Sequence, residues 1–97
     1  MKKLFAVIRS HGVGWKRGRP LEEQDNWDGH AKFMDGLAAD GLVVLAGPLG
    51  EDDALIVVRA DSEAAVHERL ETDPWTGTGL LRTTLVAAWT LRIGTLP

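Results

Sequence analysis

The chain has 97 residues, of which 44% are hydrophobic and 26% charged, and its formal net charge is -3. This length fits one domain with a modest core, and the composition excludes a disordered or fibrous chain. The negative balance argues against nucleic acid as the main partner, although the basic residues cluster before Glu22, the first acidic one. We interpret that basic start as a solvated segment, with an anion-attracting rim as the alternative.

Cysteine is absent, which excludes a disulfide framework, a thiol nucleophile and a thiolate metal site. The histidines have no metal-ligand spacing, so we expect no metal. Lys2 and Lys3 resemble the start of a signal peptide, but the apolar run from Leu4 to Ile8 is too short for export or for crossing a bilayer. We therefore expect a cytoplasmic protein without a membrane partner.

Hydrophobic runs and turn residues predict four strands and two helices. The first strand covers Leu4 to Ile8, and a loop rich in glycine and basic residues follows from Ser10 to Arg19. Asp25 or Asn26 caps the first helix. The helix ends at Asp40-Gly41-Leu42, where glycine takes the left-handed position.

A hairpin is predicted next. Its first strand runs from Leu42 to Ala46 and is stopped by Gly47-Pro48, and its second strand runs from Ala54 to Arg59. The residues from Gly50 to Asp53 make the turn between these two strands.

The second helix is capped by Asp61 or Ser62 and runs to about Thr72, because Pro74 forbids continuation. A final strand runs from about Thr83 to Ile93. The order βαββαβ predicts a ferredoxin-like α+β fold, a single domain over 1–97 with a four-stranded antiparallel sheet and both helices on one face.

The first three strands are apolar at nearly every position, whereas a sheet covered on one side alternates apolar and polar residues. The second face therefore needs a cover. We expect a second copy of the chain there, giving a homodimer through the open sheet face, a dimeric α+β barrel. The alternative is that these short strands are apolar because they lie at the centre of the sheet, and that the chain does not dimerise.

An apolar stripe lies along one face of the first helix and consists of Trp27, Ala31, Met34, Leu37 and Ala38. His30 is the only polar side chain in this stripe, and burying an imidazole costs free energy unless its nitrogens have partners. Histidine titrates near neutral pH, so His30 is a candidate general base, general acid, nucleophile or metal ligand. Asp73, placed by Pro74 at a helix exit, is its candidate partner. Alternatively, His30 is a satisfied core histidine and Asp-Pro is only a stop signal.

Three short motifs occur in order along the chain. They are the run from His30 to Leu37, the run Leu45-Ala46-Gly47-Pro48, and Asp73-Pro74-Trp75. This ordered set resembles the YCII-related (YciI-like) family, whose pattern is a helix-borne histidine, an Ala-Gly-Pro after the second strand and an Asp-Pro-aromatic after the second helix. The resemblance spans nearly the whole chain. It implies a dimeric α+β barrel like that of muconolactone isomerase, with His30 and Asp73 as the catalytic pair.

One family member is a dehydrochlorinase that acts on a chlorinated hydroxyhydroquinone. The resemblance therefore implies a cofactor-free lyase or isomerase acting on a small organic ligand, in which His30 moves a proton while Asp73 orients and charges it. The alternative is a non-catalytic ligand-binding or interaction module, because one fold hosts many functions. Cofactor-free oxygenation is a third interpretation.

Five residues are candidates for substrate binding. Relatives often carry an arginine shortly before the histidine, which would bind an anionic group of the ligand, and this chain lacks it. Arg9 or the basic loop is the candidate replacement for that anion-binding role. Trp75 and Trp27 are candidate walls of an aromatic pocket, or simple core residues. Gly47 and Pro48 complete the set through the second motif.

Two further features carry less chemistry. His11 is expected in an exposed loop rather than in the pocket, and His67 on a solvated helix surface beside Glu63 and Glu71. Gly12-Val13-Gly14 is too short for a dinucleotide-binding motif and lacks a following helix.

Overall fold

A computed structural model describes residues 1–96 of the protein. Four strands and three helices follow one another as β1 (Lys3–His11), α1 (Trp27–Ala39), β2 (Val43–Leu49), β3 (Asp53–Ala60), α2 (Glu63–Leu70), α3 (Pro74–Gly77) and β4 (Leu81–Ala88), with a 3₁₀ turn at Leu21–Glu23. The strands form one antiparallel sheet in the order β2-β3-β1-β4. This architecture confirms the predicted ferredoxin-like α+β fold.

The central strand β1 divides its side chains between the two faces of the sheet. Phe5, Val7 and Arg9 are buried beneath the helices, and the residues between them point to the other side. The core on the helix face combines Phe5, Val7, Leu37, Leu42, Ile56, Val58, Ala60, Val66 and Leu70. Full burial of one such large side chain stabilises the fold by about 1.5–3 kcal/mol, so this layer holds α1 and α2 against the sheet.

The opposite face, here called the open face, is apolar but exposed. Leu45, Leu49 and Leu85 keep 45, 45 and 47% of their surface accessible. By register, these side chains lie on the same side of the sheet as Ala6 and Ile8 of β1. Among the helices of residues 1–96, none combines the length and the apolar character needed to span a membrane.

The ends of α1 and the start of α2 follow local chemistry. Asn26, rather than Asp25, caps α1 from a left-handed backbone conformation (φ 56°), and its side chain accepts a hydrogen bond from the Gly29 amide at 3.3 Å. Gly41 adopts φ 81° after the last turn, and the Leu42 amide bonds back to the Leu37 carbonyl at 3.0 Å. Ser62, rather than Asp61, caps α2.

Several strand boundaries differ from the sequence predictions. β1 continues to His11 instead of ending at Ile8, so Ser10 and His11 belong to the strand and not to the loop, and β4 starts at Leu81 rather than Thr83. β2 continues through Gly47 and Pro48 to Leu49, because it is an edge strand and proline needs no ladder donor on the outer side. β4 ends at Ala88 rather than Ile93: its pairing with β1 stops at the Phe5–Ala88 pair, and the Trp89 amide makes the last bond, to the Leu4 carbonyl.

The segment after α2 also differs. α2 ends at Leu70 instead of Thr72, and Pro74 opens the short helix α3, which was not predicted. Asp73 caps this helix with an extended backbone (φ -64°, ψ 127°), and proline fits the first helical position because its missing N–H has no partner there anyway. The Asp-Pro pair therefore starts a helix as well as terminating one.

Candidate active site

His30 and Asp73 meet in the folded chain. The Nδ1 atom of His30 lies 3.0 Å from Oδ1 and 2.9 Å from Oδ2 of Asp73, and the two residues are 8% and 1% exposed. A carboxylate accepts hydrogen bonds, so Nδ1 carries the proton and Nε2 of the neutral ring keeps a free lone pair. No group of residues 1–96 hydrogen-bonds Nε2. The imidazole is thus oriented by one nitrogen and open to a ligand at the other.

Asp73 is fixed by donors from two further elements. The guanidinium of Arg9, on β1, donates from Nη1 to Oδ2 at 3.1 Å, and the backbone amide of Trp75, on α3, donates to Oδ1 at 3.0 Å. Both oxygens are therefore occupied by donors that do not reach solvent. The carboxylate joins β1, α1 and α3 at one point.

Arg9 is fully buried at the end of the central strand. Its Nη2 donates to Thr76 Oγ1 at 2.6 Å, and that hydroxyl donates in turn to the Leu70 carbonyl at 3.0 Å. Its Nε has no hydrogen-bond partner within the described part of the chain. Burial lowers the pKa of Arg9, and the charge and hydrogen bond of Asp73 act in the opposite direction.

Trp75 holds the plane of the imidazole. Its ring stacks on His30 with centroids 3.9 Å apart and planes 3° from parallel, and it is 0% exposed. The indole is itself anchored, because Nε1 donates to the Asp25 carbonyl at 2.6 Å. The direction in which Nε2 points is therefore set by packing on one side and by Asp73 on the other.

The glycines of Gly12-Val13-Gly14 bring the loop after β1 against the turn before β4. The Gly12 amide bonds to the Leu80 carbonyl at 2.8 Å, and the Gly14 amide to the Gly79 carbonyl at 3.0 Å. A Cβ atom on Gly12 would overlap the Gly79 carbonyl oxygen. The motif is thus a backbone-docking element, and it places the next residue, Trp15, edge-on to Trp75 at 5.7 Å.

Gln24 fixes the far end of the same loop. It is 3% exposed, and its side-chain amide accepts from the Lys16 amide and donates to the Lys16 and Arg19 carbonyls at 2.8, 2.9 and 3.1 Å. Three hydrogen bonds satisfy a buried polar side chain that would otherwise cost free energy. These hydrogen bonds hold the basic loop in place along one side of the site. Lys16 also forms an ion pair with Asp25 at 2.9 Å.

The prediction that His11 lies in an exposed loop is wrong. His11 is the last residue of β1, its side chain is 21% exposed, and its ring stacks on Trp15 at 3.6 Å with planes 9° apart. Packing against the indole removes most of the water from the ring. Burial accordingly lowers the pKa of His11, while Asp52 and Asp53 raise it less.

A cleft of about 1190 Å³ opens in front of His30. All seven residues singled out for catalysis or substrate binding line it or stand directly behind it: His30, Asp73, Trp75, Arg9, Trp27, Gly47 and Pro48. Trp27 borders it with its centroid 6.1 Å from that of His30. Within residues 1–96, no group of three or more His, Asp or Glu side chains is arranged to hold a metal ion.

Sequence reasoning missed four residues of the site. Trp15, Gln24, Thr76 and His11 line the cleft or support the residues that do. Thr76 follows an Asp-Pro-Trp run by one position, which is a usable signal once that run is recognised as a helix start. Gln24 lies in an acidic surface-like segment and gives no comparable signal.

Comparison with known proteins identifies the family. Residues 13–90 match the YCII-related domain. No curated protein matches the chain. Among solved structures, the chain is similar to 5-chloro-2-hydroxyhydroquinone dehydrochlorinase from Burkholderia phenoliruptrix AC1100 in complex with 2,5-dihydroxybenzoquinone, at 24% identity and a TM-score of 0.63, covering 94% of this chain and 95% of that one. The likeness to that enzyme shows a shared fold, and the match over residues 13–90 shows that the chain belongs to the YCII-related family.

Proposed function

We propose that the protein is a small-molecule enzyme of the lyase or isomerase type, in which His30 transfers a proton and Asp73 orients it. The observation that carries this proposal is the buried His30–Asp73 contact at 2.9 Å, with Nε2 left open to the cleft. A carboxylate behind Nδ1 selects the tautomer with a basic Nε2 and stabilises the imidazolium that forms when Nε2 takes a proton. This arrangement supports general acid–base catalysis.

The cleft suits a small oxygenated ring. Trp15 and Trp27 offer partly exposed aromatic faces, Met34 adds an apolar contact, and Gly47 and Pro48 supply a wall without side-chain bulk. Arg9 and Trp75 form the buried back of this substrate site. The similar fold of a dehydrochlorinase bound to 2,5-dihydroxybenzoquinone supports the same ligand class.

Dehydrochlorination needs only proton transfer at this site. In the keto tautomer of the ring substrate, whose chlorine-bearing carbon has gained a proton and become tetrahedral, Nε2 of His30 takes a proton from a ring hydroxyl. The electron pair of that O–H bond forms a C=O bond, the neighbouring ring double bond shifts to the chlorine-bearing carbon, and chloride leaves with the electrons of the C–Cl bond. The imidazolium then returns its proton to water. The step balances without electron transfer to a cofactor, in line with the expectation that none is used.

We further propose that the protein is a cytoplasmic homodimer formed through the open face, with 1–97 as a single domain. The exposed leucines Leu45, Leu49 and Leu85 support the dimer, because monomers rarely expose a contiguous apolar sheet face. Leu85→Lys is expected to convert the dimer to a monomer in light scattering. Val13→Lys, at a fully exposed loop position, is the control that leaves the mass unchanged.

The catalytic proposal is tested with 5-chloro-2-hydroxyhydroquinone by measuring chloride release. His30→Asn keeps a donor toward Asp73 but removes the basic nitrogen, and it is expected to lower kcat/KM by about 10²–10⁴-fold. His67→Asn, the same change at an exposed position of α2, is expected to leave it unchanged. Equal rates in the two variants would contradict the assignment of His30.

Binding and turnover are separated by calorimetry with 2,5-dihydroxybenzoquinone. Binding that is weakened in Trp27→Ala supports the cleft as the ligand site. Binding without chloride release in the wild type, tolerant of His30→Gln, would instead establish a non-catalytic binding module. Absence of both binding and turnover would reject this ligand class.

A further inference from the structure

We infer that Arg9 is a positioning residue of this site, whose guanidinium shares the Asp73 carboxylate with His30 and offsets the charge of that carboxylate at the imidazole. Oδ2 of Asp73 receives Nη1 of Arg9 at 3.1 Å and Nδ1 of His30 at 2.9 Å. Arg9 and Asp73 are 0% and 1% exposed. The kinetic meaning of this inference rests on the proposed function, but the arrangement itself does not.

The first effect of Arg9 is on the balance of buried charge. Buried Arg9 and Asp73 form a pair with no net charge. A proton added to His30 would turn that pair into a buried cluster with a net positive charge, and burial disfavours such a charge. Without the guanidinium, the same carboxylate would instead attract a second proton onto the imidazole. The positive charge of Arg9 therefore counteracts the negative charge of Asp73, which on its own would favour a proton at Nε2.

The second effect of Arg9 is on the geometry of the pair. The two Nη groups of Arg9 are held at different anchors, Asp73 on one side and Thr76 at 2.6 Å on the other, and Thr76 is tied to the Leu70 carbonyl. A planar guanidinium held at two points cannot rotate without losing one of them. It fixes the angle of the carboxylate, and the carboxylate fixes the imidazole. Arg9 acts on a ligand through these two residues.

The remaining charged groups near His30 surround the open side of the cleft. They are Arg17 and Arg19 of the loop after β1, Asp35 of α1, the turn residues Glu51, Asp52 and Asp53, and Arg82 of β4, with His11 as a further titratable ring. Most are exposed, so water and salt screen them. Arg9 is the buried cation among the residues that touch the dyad.

The test is a ¹⁵N NMR titration of the histidine rings, which needs no substrate. Arg9→Gln removes the charge while its amide can still donate to Asp73, and the pH at which the His30 ring becomes doubly protonated is expected to rise by about 1–2 units relative to the wild type. Arg9→Lys keeps the charge and is expected to shift it by less than half as much. Arg82→Gln, the same change at an exposed rim position, is expected to leave it unchanged.

A second variant covers the case in which Arg9→Gln does not fold. Arg9→Gln combined with Asp73→Asn leaves no buried charge, and its His30 midpoint is expected to lie above that of Asp73→Asn alone, because the double variant lacks the positive charge that the single variant leaves near the ring. Equal midpoints in Asp73→Asn and in the double variant would show that the guanidinium does not act on the ring and would overturn the inference. So would an unshifted midpoint in folded Arg9→Gln. The exposed ring of His67 is the internal reference in each sample.

The result stays distinct from the proposed function. If the His30 midpoint moves as expected and no turnover is found, the role of Arg9 holds and the catalytic proposal fails. If turnover depends on His30, the acidic limb of the pH profile of kcat/KM should move to higher pH in Arg9→Gln, by the same amount as the NMR midpoint. An unmoved limb together with an unmoved midpoint would assign Arg9 to packing alone.

Discussion

Two imidazole rings border the cleft, and each lies flat on a tryptophan. His30 stacks on Trp75 with centroids 3.9 Å apart, and His11 stacks on Trp15 at 3.6 Å. Each ring also has an aspartate nearby. Judged by residue types alone, the two arrangements are equivalent.

Their carboxylates differ. Asp73 lies 2.9 Å from His30, is fully buried as a side chain, and accepts from Arg9 and the Trp75 amide. Asp52 lies 3.9 Å from His11 with 79% of its side chain exposed. A solvated pair of this kind contributes little and sets no geometry. The comparison teaches that the supporting hydrogen bonds, rather than the residue types, distinguish the candidate catalytic pair.

Removing each carboxylate should give the largest contrast. Asp73→Ala leaves the buried guanidinium of Arg9 unpaired and is expected to lower the free energy of unfolding by about 3–5 kcal/mol. Asp52→Ala, in a solvated turn, should change it by less than about 0.5 kcal/mol. Urea denaturation measures both. Similar values for the two variants would mean that Asp73 is not held as described.

Truncating each tryptophan tests the two stacks. Trp75→Ala removes a ring that is 0% exposed and is expected to cost about 3–5 kcal/mol of unfolding free energy. Trp15→Ala, at a partly exposed position, should cost about 1–2 kcal/mol. Thermal and urea unfolding report both values. An equal loss would contradict the view that only the His30 stack belongs to the buried framework.

The His11 side depends on a backbone contact that the His30 side lacks. Gly12→Ala places a methyl group against the Gly79 carbonyl and is expected to destabilise the fold by about 1–3 kcal/mol. Gly36→Ala, in a helix position with open space, should instead stabilise it by about 0.5–1 kcal/mol. A Gly12→Ala variant as stable as the wild type would show that the loop docks differently.

The smallest effect concerns pH. Burial lowers the pKa of His11 below its ordinary value of 6.5, so the folded chain binds fewer protons there than the unfolded chain. This contribution to stability is present above that ordinary value and is lost as the pH falls toward the lowered pKa. Comparing unfolding free energies between about pH 7.5 and pH 5, we expect a weaker decline in His11→Gln than in the wild type. An equal decline in the two proteins would show that His11 does not cause this pH dependence of stability.

Parts of this picture were accessible from the sequence because they depend on local chemistry. The apolar stripe placed His30 on the inner face of α1, and the Asp-Pro step put Asp73 outside helical geometry, as the structure shows. Their meeting across 43 positions came from the resemblance to a family, since no local signal encodes it.

Other parts depend on partners distant in sequence. Pro48 marks a strand end in isolation, yet it is accommodated once β2 lies at an edge. The alternation beyond Ala88 is a correct strand pattern, but the pairing of β4 with β1 stops at the Phe5–Ala88 pair. Gln24 is buried only because the basic loop folds over it. Each difference reflects sheet order or loop placement, which composition and periodicity do not determine.

The four tryptophans are distributed so that the chain carries two separate optical reporters. Trp75 lies 5.7 Å from Trp15 and 6.0 Å from Trp27, close enough for exciton coupling in the near-ultraviolet. Trp89 is 43% exposed and directly follows β4, whose Leu85 lies on the open face. A ligand entering the cleft should therefore change the near-ultraviolet circular dichroism of the coupled cluster, while association through the open face should shift the emission of Trp89 to shorter wavelength. The native protein can thus distinguish its two kinds of binding event by spectroscopy, without an added label.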